Sequence, residues 1–336
     1  MAHYSPTFSK NPDRTVYPLI RPAKMLLRLL PQPLREELRR RKKALLASGS
    51  LLALIGSKGR VTELLLSRKA SDKLEYSVNI RRPRSFNEKV QWRKLHDRRT
   101  RFIPFVDKVA VRDIVASWKV TDLHLPERLW SGDRGDDIPF DSISPPYIIK
   151  TNRDSGGHWI VRDAASLDRD QLRREVDEAL NADYGAETYQ WLYSQIEPQV
   201  LIEGLLLDAK GCLPNDYKFY CFDGEVRLIL ATVDMLGEPK ESLFDQHWNR
   251  FQAQKRRPPA GDLPKPENLE QMLVIARSLS SNIDFVRIDL YDVDGRTFFG
   301  EFTFYPGNGF LPFYPLSFDY WLGSCWRLPK KREIRE

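Results

Sequence analysis

The chain has 336 residues, 41% of them hydrophobic, 11% aromatic and 29% charged; this make-up suits a globular protein that buries a core in one large lobe or a few smaller ones, and it excludes a disordered polymer. The net charge of +7 is unevenly spread: residues 1–102 hold 25 Lys and Arg against 8 Asp and Glu, a balance of +17, and the remainder holds 28 against 38, a balance of −10. The three cysteines, Cys212, Cys221 and Cys325, are odd in number and lack metal spacing. That excludes a disulfide scaffold and suits a reducing compartment, with buried free thiols expected and a Cys212–Cys221 pair across a hairpin as the other option.

A basic front third points to an anionic partner, and nucleic acid, an anionic membrane surface and an acidic polysaccharide all fit. Residues 1–22 read as a polar arm with scattered prolines. No secretory signal is read, because the first apolar cluster, Met25 to Leu30, is short and begins late. A helix is expected from Pro33 to Ser48, with proline near its start and Glu36 and Glu37 in the first turn. It carries the run Arg39 to Lys43. Ala44 to Ile55 is apolar but broken by Ser48, Gly49 and Ser50, and a bilayer span needs about 20 apolar residues. Such a helix either packs on its own domain or lies on a membrane surface. Further on, Ser85-Phe86-Asn87-Glu88 is a helix-start signal for a segment running to Arg99, with Val90, Trp92 and Leu95 near helical spacing. Its mixture of basic and aromatic residues invites a nucleic-acid reading. No nucleic-acid motif is present, and the aromatic residues are expected in the core.

Asp107 to Arg112 opens a helix ending near Trp118. Tyr147-Ile148-Ile149-Lys150 reads as a strand that ends in a lysine, Asn152 to Gly157 as a polar loop, and Trp159-Ile160-Val161 as the return strand. Backbone N–H groups around Gly156 and Gly157 can wrap phosphates, with the lysine neutralising them; a plain hairpin has the same pattern. It is not a Walker loop, since the Gly-Lys-Ser/Thr order is absent. Leu167 to Ala182 reads as an amphipathic helix, and Tyr189 to Ile196 as a second helical cluster. Gln199 to Leu206 is a buried strand with one acid, Glu203, of the kind that accepts from ribose or amino groups at the edge of an adenine slot. Asp216 to Val226 forms a hairpin turning at Asp223-Gly224, with Arg227 to Val233 returning, and Asp216 and Lys218 share a face. Asp234 to Pro264 reads as a polar connection, in which His247 is structural. A helix follows over Leu269 to Ser280.

The stretch from Asp284 to Gly309 is a second hairpin. Val286, Ile288 and Leu290 alternate with Arg287, Asp289 and Tyr291. Asp292 to Gly295 supplies the turn. The return strand sets Phe302 and Phe304 against Glu301, Thr303 and Tyr305. A register roughly symmetric about Gly295 places Arg287 and Asp289 beside Glu301 and Thr303. Two carboxylates so placed repel unless a cation lies between them, and hard oxygen donors suit Mg²⁺; an ordinary solvated hairpin face carries similar charges. Pro306 to Gly309 ends the strand and is expected to let the backbone approach a ligand closely.

The Arg-x-Asp strand, the turn, and the Glu-x-x strand followed by Pro-Gly resemble the metal-binding hairpin of the ATP-grasp superfamily. Thr303 stands where that pattern has asparagine, and a hydroxyl is a weaker metal ligand than an amide oxygen. The order Lys108, Lys150 with its glycine loop, Glu203, Lys218, then Arg287, Asp289 and Glu301 resembles ATP-grasp proteins over roughly residues 100–325. SFNEKVQW, DKVAVRD, IIKTN, LIEGLL, NDYKFYCFDG and GEFTFYPGNG resemble the TupA-like family of teichuronopeptide biosynthesis. The resemblance implies an α+β, ATP-grasp fold: two α+β subdomains clasping ATP between antiparallel sheets, behind a mostly helical basic N-terminal region. The expected divisions are 1–80 for that region, 81–145 for the first part of the catalytic unit, 146–205 for the small subdomain and 206–330 for the large one.

It further implies that Lys108 and Lys150 hold ATP phosphates, with Gly156 and Gly157 in the loop over them and Glu203 at the adenine or ribose end. Asp289, Glu301 and Thr303 would ligate Mg²⁺. Arg287 would stabilise the charged intermediate, and Lys218 would contact phosphate or substrate. The implied reaction is carboxylate–amine ligation through an acylphosphate, in cell-surface polysaccharide or teichuronopeptide-type biosynthesis. An acidic sugar or an amino acid, glycan- or lipid-linked, would be the substrate. The expected location is the cytoplasm, with contact at the inner membrane face through the basic region; nucleic acid is not expected. Two alternatives remain: a glycosyltransferase or phosphotransferase, for which Asp292-Val293-Asp294 has the Asp-x-Asp form although it reads better as a turn, and a non-enzymatic binder of anionic polymers.

Overall fold

In the computed structural model, the residues described are 58–154, 158–165, 167–234, 238–255, 257–330 and 333–334. The N-terminal arm, the Pro33–Ser48 helix, its basic run, the Ala44–Ile55 segment, Gly156 and Gly157 lie outside them. Among the described residues two helices come first, α1 (Lys58–Leu74) and α2 (Phe86–His96). The capping box read in the sequence is present: the Ser85 side chain accepts from the Glu88 N–H, and the Glu88 side chain accepts from the Ser85 N–H. Two short helices, α3 (Ile103–Val106) and α4 (Ala110–Ser117), lead into strands β1 (Leu123–His124) and β2 (Arg128–Gly132).

The glycine-loop hairpin is β3 (Tyr147–Thr151) and β4 (His158–Val161), followed by α5 (Arg169–Asn181) and α6 (Tyr184–Thr188). A 3₁₀ turn, Trp191–Gln195, then leads to β5 (Val200–Gly204), so the Tyr189–Ile196 cluster is not a continuous helix. The Asp223-Gly224 hairpin is β6 (Asp216–Phe222) and β7 (Glu225–Val233). The segment read as a polar connection contains a further strand, β8 (Lys240–Phe244), whose Ser242, Leu243 and Phe244 are buried against β7. Five residues with one short apolar end give too little periodicity to mark it. Helix α7 (Leu269–Leu279) precedes the second hairpin, β9 (Val286–Val293) and β10 (Arg296–Thr303), and α8 (Leu316–Ser324) follows.

The strands form two sheets: six strands ordered β1-β10-β9-β6-β7-β8 and four ordered β2-β5-β3-β4. All neighbours are antiparallel except the parallel pair β1–β10. The main core joins the large sheet to α7, α2 and α8, and a smaller one joins the four-stranded sheet to α5. Helix α2 is unusual in burying polar residues: Asn87, Glu88, Gln91, Arg93 and Lys94 are all nearly inaccessible. Their heads are consumed by the fold. Arg93 donates to the Phe285 carbonyl and to Asp284, and Lys94 donates to the Asn308 carbonyl. These cations are therefore withheld from any polyanion. Cys212, Cys221 and Cys325 are free thiols, but only Cys221 is buried as expected; Cys325 is half-buried and Cys212 is exposed.

Candidate active site

Strand β10 carries a bulge that decides the composition of the site. Near the turn, Phe299 pairs with Leu290; past Gly300 the register moves by one, and Glu301 pairs with Asp289 and Thr303 with Arg287. Directly paired residues share a face. Phe299 lies with Leu290 in the core, and strict alternation would send Glu301 there too. The extra residue turns Glu301 and Thr303 to the opposite face, beside Asp289 and Arg287. On the next strand, Lys218 pairs with Asp289 and joins the same face.

The resulting cluster is tightly paired. Arg287 grips Asp289 through Nε and Nη2 at 2.6 Å each, and Nη2 also donates to Glu301 at 3.0 Å. Thr303 donates to the same Glu301 oxygen at 2.7 Å. Lys218 donates to Asp216. Arg287 and Asp289 are only 9% and 4% exposed, which rules out a solvated hairpin face. The Glu301 side chain keeps 39% exposure while four charged or hydroxyl partners act on it. Burial pushes the Glu301 carboxyl upward, but Arg287, Lys108, Thr303 and Lys218 outweigh it and hold it below the usual carboxylate range. Burial, reinforced by Glu301, leaves Asp289 raised despite Arg287 and Lys218.

A second charged group lies on the four-stranded sheet. Lys150 on β3 donates to Glu203 on β5 at 2.6 Å. The second Glu203 oxygen accepts from Arg112 of α4, which also donates to the Pro126 carbonyl. Arg112 sits 91 residues from Glu203 in the chain, and no local spacing reveals the pair. Lys108 donates to the carbonyls of Thr151 and Asp154, at the base of the glycine loop. Asn152, fully buried, pins that base by donating to Asp107 and the Glu197 carbonyl and accepting from the Gln199 N–H. The two groups act on each other electrostatically. The Tyr291 phenol of β9 is raised by burial, then by Asp289, Glu301 and Glu203; the last belongs to the other sheet. Lys108 likewise acts on Glu301. Lys108, Lys150 and Glu203 thus form one charged group and Lys218, Arg287, Asp289, Glu301 and Thr303 a second, near enough for Lys108 to act on Glu301 and Glu203 on Tyr291.

One expectation changes. Gly307, Asn308 and Gly309 take φ of 56°, 57° and 62°, but the space beside them is filled by protein. A Cβ on Gly309 would lie 2.5 Å from Nε2 of Gln91, whose amide donates to the Gly309 carbonyl. The loop is needed for close approach of α2. The Asp-x-Asp sequence is spent in the β9–β10 turn: Asp292 accepts from the Gly295 N–H, and Asp294 has φ of 50°.

A family model described as TupA-like ATP-grasp matches residues 88–327. The chain belongs to the TupA-like ATP-grasp family. Its α+β architecture with two antiparallel sheets is the ATP-grasp fold. No curated protein matches. Among solved structures, the D-alanine–D-alanine ligase of Bacillus anthracis is 17% identical, with 59% of this chain and 56% of that one covered and a TM-score of 0.34. The ATP-grasp ligase PsnB complexed with a precursor peptide and AMPPNP is 13% identical, with 81% and 65% covered and a TM-score of 0.35. The phosphoribosylamine–glycine ligase of Thermotoga maritima is 12% identical, with 63% and 51% covered and a TM-score of 0.37. The chain thus spans between about half and two thirds of the length of these ligases.

In this ATP-grasp protein Lys218 has a testable signature. Burial lowers its ammonium to about 8, against the opposing pull of Asp289. A base whose folded pKa lies below its unfolded one carries a penalty while charged, and the penalty fades as pH rises through the folded value. Labelling with an amine-selective acylating reagent, read by peptide mass spectrometry, should show Lys218 reacting with a midpoint near pH 8 rather than near pH 10.5. Reaction only above pH 10 would contradict the buried setting.

Proposed function

We propose that this protein is an ATP- and Mg²⁺-dependent carboxylate–amine ligase acting through an acylphosphate in the assembly of a cell-surface polysaccharide or teichuronopeptide-type polymer. The observation that carries this reading is the register of β10, β9 and β6, which gathers Glu301, Asp289, Arg287 and Lys218 on one face, with Lys108 near enough to act on Glu301 and Lys150 paired to Glu203. Asp289 and Glu301 fit a hard divalent cation. Their oxygens share a face, and the Glu301 side chain is partly exposed. Among the described residues no set of three His, Cys, Asp or Glu could hold a metal; Mg²⁺ is commonly held by one or two carboxylates with phosphate oxygens and water completing its shell. When bound there, the cation would neutralise charge on the transferring phosphoryl group.

The chain's own residues do the rest. Lys150 leaves Glu203 to hold phosphate, and Arg112 keeps Glu203 paired when it does. Lys218 and Arg287 add positive charge where the transition state needs it. The substrate carboxylate attacks the γ-phosphorus and ADP leaves; the amine then attacks the acyl carbon and phosphate leaves. The strongly basic residues 1–102 suit an anionic acceptor polymer or an anionic membrane surface. Among the described residues no helix is long and apolar enough to cross a membrane.

The test is a thermal-shift titration of wild type and Glu301→Ala with Mg·ATP and with Mg·UDP-sugar. Ligand at about 100 times its dissociation constant stabilises by about 2.7 kcal/mol. Wild type should shift with Mg·ATP alone, and Glu301→Ala should lose most of that shift. A shift with the nucleotide sugar alone would replace the ligase by a glycosyltransferase.

A further inference from the structure

Among the described residues six large hydrophobic side chains are exposed, and three of them, Tyr314 at 40%, Leu316 at 38% and Tyr320 at 36%, fall within seven residues at the start of α8. Leu316 and Tyr320 are four residues apart and so share one face of that helix. The loop after α1 meets them there. The Tyr76 and Tyr320 rings lie 6.4 Å apart at 43°, the Arg84 guanidinium lies 5.6 Å over the Tyr320 ring, and the Tyr314 hydroxyl donates to Glu75 at 3.4 Å. Contiguous exposed apolar surface marks a binding site, whereas single exposed residues are ordinary. The platform is also rigid: the Tyr76 hydroxyl donates to buried Asp319 at 3.0 Å and shares a hydrogen bond with Ser85 at 2.6 Å. A partner would bind it at little ordering cost.

The charge around the rings is positive. Lys58 to Arg84 holds eight Lys and Arg against three Asp and Glu. Arg81 is occupied by Glu63 at 2.6 Å, whereas Arg82 and Arg84, both exposed, have no carboxylate partner among the described residues. Rings, guanidiniums and a carboxylate in one patch match a glycan. A sugar ring offers a C–H face to an aromatic ring, and hydroxyls at its rim that both donate and accept. Tyr76, Tyr314 and Tyr320 supply rings, Glu75 accepts, and Arg82 and Arg84 suit a uronate carboxylate. An anionic bilayer fits less well. Leu316 is the only large exposed aliphatic side chain among the described residues of the patch, and the Glu75 charge would be repelled. The patch also neighbours the charged cluster. The Lys255 ammonium lies 4.9 Å over the ring of Phe313, next to Tyr314, and donates to the Tyr220 hydroxyl at 2.7 Å; Tyr220 pairs with Arg287.

We propose that the Tyr76–Tyr314–Tyr320 platform, with Arg82 and Arg84, is a docking surface for an anionic glycan that carries uronic acids. Its role as a grip on the acceptor polymer rests on the reading of this protein as a polymer-assembling ligase; the binding itself does not.

The experiment uses the full chain and the variants Tyr320→Ala, Tyr320→Phe and Arg84→Gln, each checked for folding by its unfolding midpoint. Calorimetric titration measures affinity for polygalacturonate, uncharged dextran and poly-L-glutamate, and sedimentation measures binding to vesicles of phosphatidylglycerol and phosphatidylcholine. Wild type should bind polygalacturonate, and dextran more weakly. Tyr320→Ala should weaken polygalacturonate about tenfold, the size of one lost ring contact, and should leave poly-L-glutamate, which has charge but no sugar ring, unchanged. Tyr320→Phe should bind as wild type does, since the ring and not its hydroxyl makes the contact. Arg84→Gln should weaken polygalacturonate about tenfold, the size of one lost charge-assisted hydrogen bond. The inference is overturned if wild type does not bind polygalacturonate, if dextran binds as tightly, or if Tyr320→Ala and Arg84→Gln leave that affinity unchanged. It is also overturned if Tyr320→Ala loses poly-L-glutamate equally, which would leave charge alone at work, or if the variants lose vesicles and keep the glycan, which would make the patch a membrane contact. The Mg·ATP thermal shift should be the same in all four proteins. Its absence in wild type would sink the ligase reading instead, while the glycan titrations still judge the patch.

Discussion

Asp284→Ala is expected to destabilise the protein by about 3–5 kcal/mol, the usual result of removing one partner from a buried ionic cluster. Asp284 accepts from Arg93 at 2.6 Å, from Arg99 at 2.8 Å and from the Trp326 indole at 2.8 Å. Arg99 also grips Asp97, and Arg93 lies over the Trp326 ring. All these groups are nearly inaccessible to water. The alanine variant would leave two guanidiniums sharing the single carboxylate of Asp97 in a dry interior. Burial pushes the Asp284 carboxyl up, but Arg93, Arg99 and the Trp326 donor prevail and hold it below its ordinary value. A carboxyl with a depressed folded pKa contributes stability that is complete above the unfolded pKa and is lost as pH falls through the folded one. The acid side of the stability profile should therefore flatten in Asp284→Asn, which keeps the shape and drops the charge. Urea unfolding measures both effects. A loss under about 1 kcal/mol for Asp284→Ala would mean that the cluster is solvated.

Gly300→Ala should abolish nucleotide binding while the protein still folds. A Cβ there would lie 2.9 Å from Cε2 of Tyr291 and 3.0 Å from the Asp289 carbonyl oxygen, both closer than packing permits. The ring can move, but the carbonyl is fixed in the ladder between β9 and its neighbours. The bulge would have to open, at about 1–3 kcal/mol for an overpacked site. Its opening moves Glu301 off the pairing that sets it against Asp289 and within 3.0 Å of Arg287. Most of the Mg·ATP thermal shift should be lost, as expected for Glu301→Ala, although residue 300 contributes no side chain to the site. A variant that bound Mg·ATP normally would show that the bulge tolerates a methyl group and that the register does not govern the site.

Local patterns carried much of this structure in readable form. The Ser85–Glu88 capping box, the Asp223-Gly224 turn and the alternation of Val286, Ile288 and Leu290 each depend on neighbours within a few residues, and each appears where its chemistry required. The motifs from SFNEKVQW to GEFTFYPGNG were enough to indicate the family, and the order of Lys150, Glu203, Lys218, Asp289 and Glu301 its superfamily. Strand β8 was not legible, because five residues buried against β7 carry almost no periodic signal of their own. The buried polar face of α2 was not legible either. A helix bearing Gln91, Arg93 and Lys94 looks solvent-facing until the carbonyls of Asn308, Gly309 and Phe285 arrive from some 200 residues away.

The same division holds inside the site. The sequence by itself determined which charged side chains are available and that Arg287 and Asp289 leave the face of β9 opposite Val286, Ile288 and Leu290, because a two-residue repeat is a local property. Only the tertiary structure decided that Glu203 is shared between Lys150 and Arg112, that the bulge at Gly300 sets Glu301 beside Asp289, and that Tyr76 meets Tyr320. Each of these depends on register between strands or on contact between distant segments. Both are set by the free energy of closing the whole core, and neither leaves a mark in the spacing of residues along the chain.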